Sequence, residues 1–223
     1  MNQQLNCESL LDLSQTIAKE LFLDIKYPWE VLPKIKEFIQ NLGRSLPKDK
    51  FEEIKENVWI AKTASISNSA CIEPFTIIDE FAQVRHGAFI RGSVIIGKNS
   101  VVGNSTELKN AVLFNSVQVP HFNYVGDSIL GHKAHLGAGA IISNVKSDKS
   151  NVKVNYENQK IDTNLRKFGA IVGDLAEIGC NSVLNPGTII GRNSTVYPLS
   201  MVRGFLEENH IFKAPDKVVK KVF

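Results

Sequence analysis

The chain is poor in the residues that staple small or exported proteins: among 223 residues there are three cysteines, two methionines and two tryptophans. Cys7, Cys71 and Cys180 are odd in number, far apart and without C-x-x-C spacing. That argues against a disulfide framework or a zinc knuckle and points to a reducing, cytoplasmic setting. No stretch reaches the roughly 18 apolar residues a membrane-spanning helix needs, and no basic start followed by an apolar run marks an export signal. Charge of one sign is also scarce. The 26 Lys and Arg against 23 Asp and Glu leave +3, too little and too dispersed for a nucleic-acid or membrane surface. What is plentiful is apolar side chain, at 43%, enough to bury one main core with a smaller appendage.

The apolar residues are periodic. Ile60, Ile66, Ile72, Ile78, Val84, Ile90, Ile96, Val102 and Leu108 follow one another at a spacing of six. The run slips by one to Leu113, Val119 and Val125, and slips again to Leu130, Leu136 and Ile142. After an interruption it resumes as Val172, Ile178, Leu184, Ile190, Val196 and Val202, for 21 anchors in all. Four residues after most anchors stands a small or β-branched residue, such as Ala82, Ser100, Thr106 or Ser182, and one residue after many stands glycine. Six residues make a short strand and a turn, three such units close a triangular coil, and stacked coils give every strand a parallel partner. The glycines are read here as turn residues that tolerate unusual backbone conformations. The expected fold is mainly β, a parallel β-helix of hexapeptide repeats with about seven coils. Its winding is taken as left-handed, against the usual crossover rule, because hexapeptide repeats are known for that exception.

Outside the repeats, Leu10, Leu13, Ile17 and Leu21 are spaced like one face of a helix, as are Val31, Ile35, Phe38 and Leu42 before Gly43, a plausible C-terminal stop. Residues 1–57 are thus expected to form a small helical appendage that caps the open end of the stack. Residues 58–206 form the β-helix, and 207–223 a tail holding a short strand or helix. The segment 145–167 lacks the hexad and should leave the stack as a projecting loop. A smooth-sided stack needs such a loop or a neighbouring copy to make a pocket, so a homotrimer with sites between subunits is expected.

Polar residues near that loop are the candidates for chemistry. His121 lies two residues after an anchor and should face outward, where a neutral imidazole can take a proton from an ammonium group before the amine attacks a thioester. Arg91 and Lys109 each follow an anchor by one and are 18 residues apart, so they stack on one face as two cations for one phosphate.

The stretch from Arg91 to Gly139 resembles the acetyltransferase half of the bifunctional glucosamine-1-phosphate N-acetyltransferase/N-acetylglucosamine-1-phosphate uridylyltransferases. The shared pattern is Arg91, the Lys of Glu107-Leu-Lys-Asn110, the His of His121-Phe-Asn-Tyr-Val-Gly-Asp127, and Leu136-Gly-Ala-Gly139. Asn151-Val-Lys-Val-Asn155, Asp162-Thr163 and Arg166 to Asp174 look like the archaeal-type sugar-phosphate nucleotidyltransferase/acetyltransferases, as does Tyr27-Pro-Trp-Glu-Val-Leu32. The resemblance implies an acetyl-CoA-dependent N-acetyltransferase of nucleotide-sugar biosynthesis that acts on an amino-sugar phosphate, glucosamine-1-phosphate first, with no metal required. It implies His121 as general base and Arg91 and Lys109 on the sugar phosphate. Tyr124 and Asn144 would position the sugar, and Lys153 or Lys167 would reach in from the loop. The CoA would lie near Ala138 and Cys180, with Lys213 meeting its phosphates.

The chain also departs from that pattern. His135 stands where the bacterial family has a substrate-contacting Asn, Val145 where a Tyr is usual after Asn144, and Cys180 where there is a Ser. No glycine-rich nucleotide-binding sequence precedes the repeats, so uridylyl transfer is not expected. Two other readings remain. One is a non-catalytic trimeric scaffold or regulatory subunit. The other is a γ-type carbonic anhydrase, for which His86 and His121 have nearly the right spacing but Gly126 occupies the place of a third histidine ligand.

Overall fold

The computed structural model describes residues 3–222, and their core is a stack of short parallel strands wound as a three-faced β-helix. The first face carries Val58–Ala61, Thr76–Ile78, Val94–Ile96, Ala170–Val172, Thr188–Ile190 and Phe205–Leu206. The second runs from Ser65–Ile66 through Val101–Asn104 and Gln118–His121 to His210–Ala214. The third runs from Cys71–Ile72 through Phe89–Ile90 and Ile141–Ile142 to Met201–Val202. All 21 anchors point inward and are buried except Ile66, which is partly covered in the first coil. Leu206 and Phe212 are buried as well, so the solenoid continues into the segment expected to be a tail. It ends in an antiparallel hairpin of His210–Ala214 with Lys217–Lys220.

The small residues four after the anchors do more than fit the corners. Ser100, Thr106, Ser182, Thr188 and Ser194 are fully buried. Their hydroxyls donate to carbonyls of the next coil, Ser100 to Phe114 at 2.9 Å, Thr106 to Val119 at 3.0 Å and Ser182 to Tyr197 at 3.0 Å. The glycines one after the anchors have a different role from the one expected. Their φ is not positive; instead a Cβ on Gly103 would lie 1.5 Å from the Pro120 carbonyl oxygen of the next coil, so they permit close stacking. The left-handed backbone falls two residues later, at Asn99, Ser105, Ser116, Asn181 and Asn193, and even at Phe81, Phe122, Leu175 and Leu199.

The coil is irregular at one corner only, between the third face and the first. There the spacing shortens to five from Leu108 to Leu113 and from Val125 to Leu130. The strands Glu107–Leu113 and Tyr124–Leu130 therefore run on around the corner and join two faces into one 14-stranded sheet. Asn110 and Asp127 take up the bend with φ of 48° each. One coil further, the same corner opens into residues 143–169.

That insertion is not a free projecting loop. Lys153–Tyr156 and Gln159–Asp162 form an antiparallel hairpin that buries Val152, Val154 and Tyr156 against the stack, with the Tyr156 ring 5.2 Å from Phe205. The carbonyl oxygens of Lys153 and Asn155 lie against Gly187 and Gly204, whose φ values of 82° and 84° and missing side chains make room for them.

The appendage also differs from expectation. Leu10 to Leu21 is no continuous helix: Cys7–Leu10, Leu13–Gln15 and Lys19–Phe22 are separate turns, and the Asp12 side chain caps the second by accepting from the Ser14 amide. The second helix, Ile35–Ser45, runs through Gly43 instead of stopping there, and the glycine makes room for the Trp59 indole, whose ring a Cβ would approach to 2.3 Å. Phe51–Lys55 is a strand paired with Val58–Ala61, so helical structure stops well before residue 57. Only Phe51–Lys55 covers the open edge of the stack; the helical part of the appendage lies along the first face. Phe22 meets Phe114 edge-on at 5.5 Å and Trp29 meets Phe168 at 5.8 Å. The reason is visible in the outward residues of that face. Trp59, Ile77, Ile95, Val112, Ile129, Ile171 and Ile189 are all apolar and buried, a stripe that would otherwise be exposed. Asp174 fastens the two parts, accepting from the amides of Asp12 and His132 at 2.7 Å each, with Arg192 at 3.3 Å.

Candidate active site

The irregular corner gathers the polar residues. Asp127, only 4% exposed, is the hub. It accepts from Lys109 Nζ at 3.2 Å and Asn110 Nδ2 at 2.9 Å, and it takes a further short hydrogen bond from Asn144 Nδ2. Asn144 also reaches the Tyr124 hydroxyl at 3.4 Å. Gly126 leaves the space in which these two meet, since a Cβ there would lie 2.7 Å from both. Burial, with the Glu107 and Asp127 carboxylates nearby, pushes the Tyr124 hydroxyl above its ordinary pKa, so it stays a neutral donor.

Arg91 and Lys109 are neighbours in adjacent coils, the Arg91 amide donating to the Leu108 carbonyl at 2.8 Å. Each cation nonetheless has its own carboxylate: Arg91 Nη1 lies 2.7 Å from Glu107 Oε1, which raises the guanidinium pKa further, while Lys109 sits on Asp127. The pair expected to share one phosphate is thus split between two ion pairs.

His121 occupies the opposite corner of the third face. Its ring is exposed and makes no hydrogen bond to any described residue. Its backbone is fixed by Asn123, which is buried: Oδ1 accepts from the His121 amide at 3.2 Å, and Nδ2 donates to the Gly137 carbonyl at 2.8 Å in the next coil. From His121 a line of residues climbs this corner. The Gly139 amide donates to the His121 carbonyl at 3.0 Å, Asn181 to Ala138 at 2.9 Å, and Leu199 to Cys180 at 2.9 Å. His121, Ala138 and Cys180 therefore stack one above another. Lys213 lies further up the same side, its Nζ over the Tyr197 ring at 5.5 Å.

Of the loop lysines, Lys153 lines a cavity of about 450 Å3 under the hairpin, with Ser143, Lys146, Lys160, Asn185 and Arg203; Lys167 is exposed and outside it. His135, the departure from the family pattern, faces Glu177 with Nδ1 to Oε2 at 2.7 Å. His86 Nδ1 lies 2.8 Å from the Ser69 hydroxyl. Among the described residues no three His, Cys, Asp or Glu side chains converge in a group that could hold a metal ion.

Sequence reasoning passed over Asp127, Glu107, Asn110 and Asn123. All four belong to the motifs quoted, and the shortened period beside Glu107, Asn110 and Asp127 was the signal that could have singled those three out.

Stacked hexads with buried aliphatic anchors define a parallel β-helix of the hexapeptide-repeat class. A family model described as the GMPPB C-terminal domain matches residues 72–161. Within that class the chain is a relative of bifunctional sugar-1-phosphate nucleotidylyltransferase/acetyltransferases. It is 30% identical over 195 residues to the protein of that name from Sulfurisphaera tokodaii, covering 86% of this chain and 49% of that one. It is 31% identical over 224 residues to the bifunctional protein GlmU of Methanococcus vannielii, covering 96% and 53%. The chain thus spans about half the length of these relatives. Among solved structures, a GDP-perosamine N-acetyltransferase from Caulobacter crescentus, in complex with CoA and GDP-perosamine, is 17% identical with a TM-score of 0.34, covering 83% of this chain and 66% of that one. No helix among the described residues is long and apolar enough to cross a membrane.

Proposed function

We propose that the protein is an acetyl-CoA-dependent N-acetyltransferase acting on an amino-sugar phosphate, glucosamine-1-phosphate first. The observation that carries this reading is the free, outward His121 imidazole at the foot of the Ala138–Cys180 line, on the same face as the Asp127 cluster. In this reading the acyl donor's thiol arm lies along Ala138 and Cys180 with its phosphates toward Lys213. The sugar is held by Tyr124 and Asn144, and its phosphate by Arg91, Lys109 and a loop lysine, Lys153 or Lys167.

His121 Nε2 or Nδ1 takes a proton from the acceptor ammonium, and the freed amine attacks the thioester carbonyl. The tetrahedral intermediate collapses with loss of the CoA thiolate, which recovers the proton from the imidazolium, while the second proton of the former ammonium leaves to solvent. Products are the N-acetylated sugar phosphate and free CoA. Backbone N–H groups facing the intermediate would stabilise its oxyanion.

Phe89, Phe122, Leu199 and Met201 are exposed apolar side chains on or beside the third face, while the first face is already covered by the appendage. This supports a homotrimer in which a neighbouring copy closes the third face and completes the site.

The experiment is thiol release from acetyl-CoA in the presence of a panel of amino-sugar phosphates. Release that depends on both substrates, fastest with glucosamine-1-phosphate, is expected. Absence of acceptor-dependent release across the panel would overturn the reading.

A further inference from the structure

The cations of this face fall into two groups. Arg91 and Lys109 are each within 3.2 Å of a carboxylate oxygen. Those around the cavity under the hairpin are freer. Among the described residues Arg203 and Lys160 have no carboxylate partner, and Lys153 has Asp162 only at 4.0 Å. The remaining pair in the wall, Lys146 and Asp148, neutralise each other at 3.2 Å. The lining thus sets Lys146, Lys153, Lys160 and Arg203 against the single carboxylate of Asp148 in about 450 Å3, with Asp162 only at the edge beside Lys153, and its apolar residues are limited to Val145 and Pro186. Such a pocket suits oxyanions rather than a purine or pyrimidine ring. A single monoanion would leave most of this charge unmatched. Two linked phosphoryl groups would match it.

The pocket has a fixed frame. One wall is the strand Lys153–Tyr156, seated on Gly187 and Gly204 and held by buried Val152, Val154 and Tyr156. The opposite wall is Asn185–Pro186 with Arg203, from the regular coils. Ser143 in the lining immediately precedes Asn144 of the Asp127 cluster, so a ligand in the cavity adjoins the acceptor side of the candidate site.

We propose that this cavity is a diphosphate-binding pocket in which Arg203, Lys160 and Lys153 hold the two phosphoryl groups of a nucleotide. The inference rests on the acyl-transfer reading for the ligand's identity and extends it: with the donor's phosphates toward Lys213 and Ser143 beside Asn144, the diphosphate is that of a nucleotide-activated amino sugar, taken by the same site besides glucosamine-1-phosphate.

The test is calorimetric titration of the whole protein with inorganic pyrophosphate and with inorganic phosphate, without acyl donor. Pyrophosphate binds at least tenfold more tightly than phosphate, and the exposed double substitution Lys160→Gln/Arg203→Gln weakens pyrophosphate at least tenfold with an unchanged melting temperature. UDP-glucosamine, which keeps the free amine, displaces pyrophosphate, and displacement by CoA alone overturns the assignment to the acceptor side. No pyrophosphate binding, equal binding of phosphate, an unaltered double variant, or displacement by neither nucleotide overturns the proposal. Because binding is read without turnover, its failure is separate from failure of acetyl transfer.

Discussion

At the scale of single residues the site depends on Asp127, whose left-handed backbone and buried carboxylate bring Lys109, Asn110 and Asn144 to one point. Asp127→Ala leaves these donors without their acceptor, so a loss of about 1–3 kcal/mol in urea denaturation is expected; a loss below about 0.5 kcal/mol would show that the cluster holds nothing together. A second residue-scale prediction concerns the loop. The Ser150 amide, the Ser150 hydroxyl and Lys146 hold Asp148 down to a pKa of about 2. A depressed folded-state value means that this stabilisation is present above the ordinary carboxylate pKa and is lost as pH falls through about 2. By NMR titration, Ser150→Ala should move Asp148 part of the way back toward 3.8, since the backbone amide still donates; no movement would mean the hydroxyl is not a cause. The placement of His121, Arg91, Lys109 and Tyr124 on the outer surface was legible in the sequence because each stands at a fixed offset from an anchor. Their carboxylate partners were not, since pairing across coils depends on side-chain reach, which spacing does not report.

At the scale of elements, the hexad reveals nearly the whole solenoid, because an inward aliphatic every six residues leaves little choice of fold. Two further patterns were present but went unread. The outward apolar residue before the anchor, as in Ile77-Ile78, Ile95-Ile96, Val112-Leu113 and Ile129-Leu130, recurs once per coil on one face and marks where the appendage docks. The one-residue slips in period mark the corner where the Asp127 cluster forms. The hairpin was hidden because Val152, Val154 and Tyr156 alternate with period two inside a segment otherwise rich in Asn, Lys and Asp. From the docking stripe follows a prediction about Ile95, an outward residue by register yet fully buried. Ile95→Ala should cost about 2–5 kcal/mol, whereas Gln83→Ala, outward on the uncovered second face, should change stability by less than about 0.5 kcal/mol. Equal effects in denaturant titrations would contradict a docked appendage.

At the scale of the molecule, one side of the β-helix is occupied by the chain's own appendage and hairpin, which leaves the second and third faces for other contacts. Exposed Phe122, Leu199 and Met201 are the apolar groups that a neighbouring copy would cover. Light scattering behind size exclusion should give three times the 24.7 kDa chain mass; a stable monomer at micromolar concentration would remove the between-subunit site from the account. The central claim, however, is that His121 does the proton transfer in acetylation of an amino-sugar phosphate. The most direct measurement is acceptor-dependent thiol release from acetyl-CoA by the unmodified protein and by His121→Ala, with matching melting temperatures to show that both are folded. The account predicts a fall of about 100-fold or more in kcat, the scale of a lost general base; an unchanged rate in the variant would contradict it.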